Sequence, residues 1–439
     1  MPQVSIHRRG NKGVRFFRTR AFEFELLRVL WAIPFNGADV RETLSTVSSI
    51  SEGDFDSWYE AWSGLANSVA RRGSALSDSV SRGKAALRAS NYMRTAEFFL
   101  AGGDPRRPGA AAFAREKFYD ALEALAVDFT RSRIPYDGAV METLFLRSPV
   151  NANDDVLVVH GGFDSTPEEL YFTIGAGALE RGFHVLIWEG PGQGNLLREF
   201  DRPFVADWER PAGVALDSLF EQCRPRAVIG VGISLGGHLL ARSAAHMPRY
   251  HGIVLFDFFP AVGDAFAYRV PERWRELFLR MPAWLVPLVR LYARHDRELA
   301  WGIANGEWTF GAHGIRELVD RVRPFDDRGW TSQIDTHVLA LVGEHEHFFD
   351  PGLAEHFAAR LTSARSTRLR ELRQTDGGGD LHCQVGAIQV AHEEIFDWIA
   401  NTVLADGKFL DSREPTQPQR EGARPAVQSA SDAPVRRIR

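Results

Sequence analysis

Five short runs of apolar residues restrict what this chain can fold into: Val156 to Val159, Val185 to Trp188, Val228 to Val231, Ile253 to Phe256 and Val338 to Val342. A strand with one wet face alternates polar and apolar residues. A run that is apolar throughout suits a strand covered on both faces, as in a parallel sheet flanked by helices. Helix-forming stretches lie between most of the runs, which is the rhythm of a doubly wound α/β sheet. A last strand is expected near Thr367 to Leu372.

Such a core takes roughly 250 residues, whereas the chain has 439. The surplus falls outside the apolar runs. Residues 1–140 read as an N-terminal helical region, with Phe24, Leu27 and Trp31, then Trp58 and Trp62, at helical spacing. The core follows in two parts, 141–260 and 331–404. Between them, residues 261–330 carry Trp274, Trp284, Trp301, Trp308 and Trp330 and read as a helical lid inserted between two strands. The polar segment 405–439 is expected to be disordered. The first twenty residues are basic, without acids, and read as an arm leading into the first helix.

Composition narrows the function. The net charge of −5, with both signs interspersed, argues against a nucleic-acid partner. Two cysteines, Cys223 and Cys383, supply neither a disulfide framework nor a thiolate metal cage. No stretch approaches the roughly 18 apolar residues of a membrane span, and the N-terminus lacks a signal-type apolar segment. The lid shows no clear exposed apolar face in sequence. A cytoplasmic protein without a membrane partner is the expectation, with homodimerisation left open.

The strongest motif is Gly232-Ile233-Ser234-Leu235-Gly236, directly after one buried strand and before a helix-forming stretch. A serine nucleophile on a strained strand-to-helix turn needs glycines two residues to either side, where neighbouring backbone passes too close for a Cβ. The strand ending at His160 runs into Gly161-Gly162-Phe163-Asp164-Ser165, the kind of loop that supplies one amide of an oxyanion hole. The expected donors are Phe163 (or Gly162) and Leu235. The same loop also reads as a helix start, with Ser165 as N-cap and Glu168 at N3. A second glycine-rich turn, Glu189 to Gly194, lacks the spacing of a nucleotide loop and reads as a tight loop beside the site. No cofactor is implied.

In this arrangement an acid and then a histidine follow the serine. The strand His337 to Val342 leads into Gly343-Glu344-His345-Glu346-His347, where Glu346 is the expected acid, with Glu344 and Asp350 as fallbacks and Asp257 as a further alternative. Two histidines flanking a glutamate in a loop do not converge on an ion without further ligands, so no metal is expected. His382, in the loop after the last strand, is the expected general base.

Together these segments resemble one branch of the α/β-hydrolase family: His160 to Glu169 (HGGFDSTPEE), Glu189 to Gly194 (EGPGQG), Asp207-Trp208-Glu209, Gly232 to Gly237 (GISLGG) and His382-Cys383-Gln384. That branch contains fungal conidial-pigment polyketide hydrolases and hydrolases of fusarin-type mycotoxin clusters. A carbon–carbon-bond hydrolase acting on 2,6-dihydroxypseudooxynicotine is similar at greater distance. The resemblance spans about Phe16 to Ala400. It departs where relatives carry Gly-Glu-x-Asp-His and this chain has Gly-Glu-His-Glu-His. It implies cleavage of an ester, amide or carbon–carbon bond in a polyketide or polyketide–peptide intermediate. A non-hydrolytic condensation or cyclisation on the same fold is the alternative. The substrate would be a bulky, largely apolar small molecule, with Asp164, Trp208, Asp257 and Trp274 as candidate pocket residues.

Overall fold

The structure is a computed structural model that describes residues 15–150, 154–268 and 270–407. Most of the basic arm and the tail from residue 408 lie outside the described residues. The N-terminal region folds as α1 (Arg20–Trp31), α2 (Val40–Val47), α3 (Phe55–Ser74), α4 (Ser79–Glu97) and α5 (Arg107–Ala124). Asp39, Asp54 and Asp78 each turn a carboxylate onto the first free amides of α2, α3 and α4, which is why those helices begin where they do. These helices share a core of their own, built on Phe22, Trp58, Trp62, Tyr92 and Phe99.

The sheet has eight strands: β1 (Phe129–Tyr136), β2 (Ala139–Leu146), β3 (Val156–His160), β4 (His184–Trp188), β5 (Val228–Ile233), β6 (Gly252–Phe256), β7 (His337–Gly343) and β8 (Ser366–Leu372). Their order is β1-β2-β4-β3-β5-β6-β7-β8. Neighbours from β4 to β8 run parallel, and β2 joins β1 and β4 antiparallel. Strands β3 to β7 are the five apolar runs, and separate apolar layers cover the two faces of the sheet. The sheet starts earlier than the sequence suggests, because β1 is an edge strand whose alternate residues, Arg131 and Arg133 among them, face water. That pattern hid it inside the helical region.

Five helices, from Val262–Ala267 to Ile315–Val322, fill the interval between β6 and β7. Contrary to the sequence expectation, this segment exposes apolar side chains: Trp284, Leu288, Leu291 and Tyr292 are all more than half exposed. The sequence concealed this because Pro282, Pro287 and Arg290 interrupt the stretch. Among the described residues no helix is long and apolar enough to cross a membrane.

Buried charge ties the N-terminal helices to the core. Arg28 of α1 makes a two-pronged pair with Glu169, at 2.8 and 2.7 Å, and donates to Glu25 at 2.6 Å. Arg115 of α5 reaches Glu189 at 3.2 Å and Glu168 at 3.5 Å. Stranding one member of a buried pair costs about 3–5 kcal/mol, whereas a surface pair is worth about 0–1 kcal/mol. Arg28→Ala should therefore lower unfolding free energy by about 3–5 kcal/mol in chemical denaturation. Arg72→Ala, which breaks a solvent-exposed pair with Glu42, should stay within about 1 kcal/mol of wild type.

Candidate active site

Strand β5 ends in a turn where Ser234 takes φ 59° and ψ −125°, a left-handed conformation that costs a non-glycine residue about 1–3 kcal/mol. The turn closes because its neighbours lack side chains. A Cβ on Gly232 would lie 2.3 Å from the Gly236 carbonyl oxygen, and one on Gly236 would lie 2.6 Å from that of Gly161. The helix Leu235–His246 starts immediately after the serine, so its first amides have no partner further back in the helix.

His382 stands opposite, with Nε2 2.9 Å from Ser234 Oγ and Nδ1 2.5 Å from Glu346 Oε2. The other oxygen of Glu346 accepts from the amides of His347 (2.6 Å) and Phe348 (2.7 Å). Burial would raise the pKa of Glu346, but His382 and those amides outweigh it and hold the group below its ordinary value. Glu344 and Asp350 are exposed and bond to the amides of Gln374 and Gly352. Neither approaches the histidine.

Asp257, fully buried at the end of β6, is the second carboxyl beside the imidazole, with Oδ1 3.9 Å from His382 Nδ1. Burial first, and the negative charge of Glu346 second, push its pKa well above the carboxylate range. It therefore carries a proton where Glu346 carries a charge. Its Oδ2 accepts from the Cys383 amide at 2.6 Å and from Gln384 Nε2 at 2.9 Å. Cys383 and Gln384 both have positive φ, 53° and 47°, so Asp257 holds the strained backbone that presents His382. Ligand atoms of Asp257, Glu346 and His382 lie within 4.8 Å of one another, but the 2.5 Å bond between Glu346 and His382 leaves no room for an ion between them. His345 turns away to Asp380 at 2.9 Å, and His347 packs on Phe24 and Phe348.

The loop Gly161 to Ser165, the expected oxyanion loop, is held from both sides. Gln193, from the second glycine-rich turn, donates its amide to the carbonyls of Gly161 (2.6 Å) and Gly162 (3.0 Å) while accepting from Gly190 N (3.0 Å). Gly162 N donates to Ser165 Oγ at 3.3 Å. Ser165 is therefore not the helix cap: Pro167 occupies the first helical position, and Thr166 caps by accepting from Glu169 N at 3.4 Å. A Cβ on Gly162 would lie 2.7 Å from Leu235 N, so loop and nucleophile turn meet backbone to backbone.

Three phenylalanines surround the histidine: Phe348, Phe259 and Phe24, with ring centroids 4.8, 5.5 and 6.5 Å from that of His382. Phe24 comes from α1, so the N-terminal region forms part of the wall. Of the four candidate pocket residues, Asp164 lines a cleft together with Gly162 and Phe163. Trp208 is fully buried, packed on Trp188 and Phe204, and Trp274 is 51% exposed on the lid. Sequence reasoning missed Gln193, Phe24 and the clamp made by Asp257. The glycine spacing around Gln193 was a visible signal of a tight turn, but nothing in it named the turn's target.

Gln193→Leu keeps the volume and removes both donors to the oxyanion loop. Its expected effect is a fall in kcat of up to about a hundredfold with a smaller change in KM, read from steady-state kinetics on an activated ester.

The pattern of the Alpha/beta hydrolase family matches residues 156–394. Hydrolase LUC6 of a Fusarium species is 31% identical, over 88% of this chain and 98% of the relative. The 20-hydroxy-prefusarin hydrolase FUS2 of Gibberella moniliformis is 30% identical with the same coverage. Hydrolyase poxO of Penicillium oxalicum is 34% identical over 88% of this chain and 98% of its own length. Among solved structures, the 2,6-dihydroxy-pseudo-oxynicotine hydrolase superposes with a TM-score of 0.67 at 19% identity, over 86% of this chain and 96% of that one. That likeness is one of fold. With the sheet order, the serine turn and the family pattern over more than half its length, this chain belongs to the α/β-hydrolase family.

Proposed function

We propose that this protein is a serine hydrolase that cleaves a carbonyl-containing bond of a polyketide-type intermediate. The observation that carries this reading is the hydrogen-bonded series from Ser234 Oγ through His382 to Glu346, at 2.9 and 2.5 Å. Ser234 attacks the carbonyl carbon as its proton passes to His382 Nε2. The oxyanion that forms is held by the amides of Leu235 and Phe163, each such donor being worth a few kcal/mol. The imidazolium gives its proton to the leaving alcohol, amine or carbanion, leaving an ester on Ser234. Water, deprotonated by the same histidine, then releases the acid. Glu346 keeps Nδ1 protonated and stabilises the imidazolium. His160 of the H-G-G segment is no rival base, because burial pushes its pKa down to about 4 and its Nδ1 faces the Gly161 carbonyl at 3.3 Å.

The relatives support the substrate class, since one is named for hydrolysis of 20-hydroxy-prefusarin. Another is named a hydrolyase, a name for loss or addition of water, so a second reading without hydrolysis, condensation or ring closure on the same site, is kept beside the first. Product mass separates them, since hydrolysis adds one water, ring closure adds none and condensation loses one. A soluble cytoplasmic protein remains the proposed setting.

A fluorophosphonate probe should label wild type and not Ser234→Ala, and labelling should weaken in Glu346→Gln. An unlabelled but folded wild type would sink the nucleophilic mechanism. The pH profile gives a second test. Burial alone would lower the proton affinity of His382, but its interactions with Cys383 and with ionised Glu346 together outweigh it and hold the group well above its ordinary value near 6.5. A base with a raised pKa is protonated over a wider range. The acid limb of kcat/KM should therefore lie above pH 6.5. It should move to lower pH when both neighbouring carboxyls are removed, in Glu346→Gln with Asp257→Asn.

A further inference from the structure

The lid helix Val286–Ala293 and the turn before it are apolar on two sides. One side is used: Leu285, Val286 and Val289 pack against Met281, Ile315 and Val319. The other is not. Trp284, Leu288, Leu291 and Tyr292 follow one another at helical spacing along the outer face, and each is more than half exposed. A helix that is apolar all round is ordinarily covered on both sides, and clustered exposed apolar side chains mark a surface that meets another molecule or a membrane. The chemistry proposed above makes no use of this one.

Charge narrows what covers it. From Met281 to His295 the chain carries the exposed Arg290 and Arg294 and no acid. Tyr292 and His295 share a groove with Arg18, Thr19 and Arg20, so the basic arm leads into the fold beside the apolar stripe. Residues 1–22 hold six arginines and lysines and no acid. Carboxylates are present too. Glu23, Glu52, Asp296 and Glu298 accept the amides of Phe16, Thr19, Leu299 and Ala21, at 3.0, 2.6, 3.0 and 3.0 Å. Asp54 caps α3, and Glu307 feels the charge of Arg290. With Arg297 in the same groove, nine basic side chains stand against these six acids, the reverse of the chain's net charge of −5.

We infer that this stripe, together with the basic arm beside it, docks the protein reversibly on a membrane surface that contains anionic lipid. Rings with an apolar body and a polar edge, such as Trp284 and Tyr292, settle between headgroups and acyl chains. Arginines flanking an apolar helix face are drawn to anionic headgroups. A second copy of the chain fits less well. The helix is about 12 Å long, small against the roughly 800 Å² that each partner of a standard interface buries. A symmetric pair would also set the same arginines against one another. The inference takes the place of the expectation of no membrane partner and stands apart from the hydrolase reading.

The test is flotation of the full chain with vesicles of phosphatidylcholine, with and without phosphatidylserine. Partitioning should be about tenfold or more stronger with phosphatidylserine and should weaken as salt is added. Leu288→Ser combined with Leu291→Ser should lower it by about tenfold or more. Arg8→Gln, Arg9→Gln and Lys12→Gln together should do the same, and both variants should keep the circular dichroism of wild type. Wild type that floats with neither vesicle, floats equally with both, or is matched by either variant overturns the inference. So does a dimer in sedimentation equilibrium that the leucine variant dissociates, since the stripe then belongs to a second copy.

Discussion

Backbone-on-backbone contact at the ends of β3 and β5 is the constraint around which the rest is arranged. The chain from Gly161 to Gly162 lies so close to Gly236 and Leu235 that no side chain fits between them. Only that approach lets a loop after one strand and the first amides of a helix after another address the same point in space. Everything nearby serves to keep it. Gln193 turns two loop carbonyls toward itself, Ser165 takes the amide of Gly162, and Thr166 starts the next helix. In the proposed mechanism such rigid placement of dipoles matters because nothing has to reorganise as charge develops.

The N-terminal helices have a core of their own, yet they do not behave as an appendage. Arg28 clamps Glu169, three residues beyond Thr166, and contacts Asp164 within the oxyanion loop. Phe24, one turn earlier on the same helix, faces His347 and His382. The lid completes the enclosure from the other direction, with Trp301 packed on Phe98 and Trp308 lying under the Arg107 guanidinium at 4.3 Å. Buried ion pairs contribute little net stability but penalise misplacement heavily. They suit a joint that must hold one geometry.

How much of this was legible in the sequence depended on whether the signal was local. The five central strands read directly, since burial on both faces leaves a continuous apolar run. The serine turn read well too, because its glycines lie within two residues of Ser234. Glu346 was distinguishable from Glu344 and Asp350 only by position in a loop, and its burial appears only in three dimensions. β1 was lost because an edge strand alternates like a solvated helix face. Trp208 and Trp274 show the limit of composition: one indole fills the core and the other faces water, and nothing in their neighbours' identity tells them apart. The cleft is assembled from four segments far apart in the chain, so no window of sequence contains it.

The two carboxyls behind His382 do not titrate independently. Glu346 sits after β7 and Asp257 after β6, and the negative charge rests on Glu346. Asp257 keeps its proton partly because Glu346 is ionised. Loss of the glutamate removes that repulsion, and the charge can pass to the neighbouring strand rather than vanish. Two carboxyls on neighbouring strand ends therefore stand behind one imidazole, and the protonation of each depends on the charge of the other.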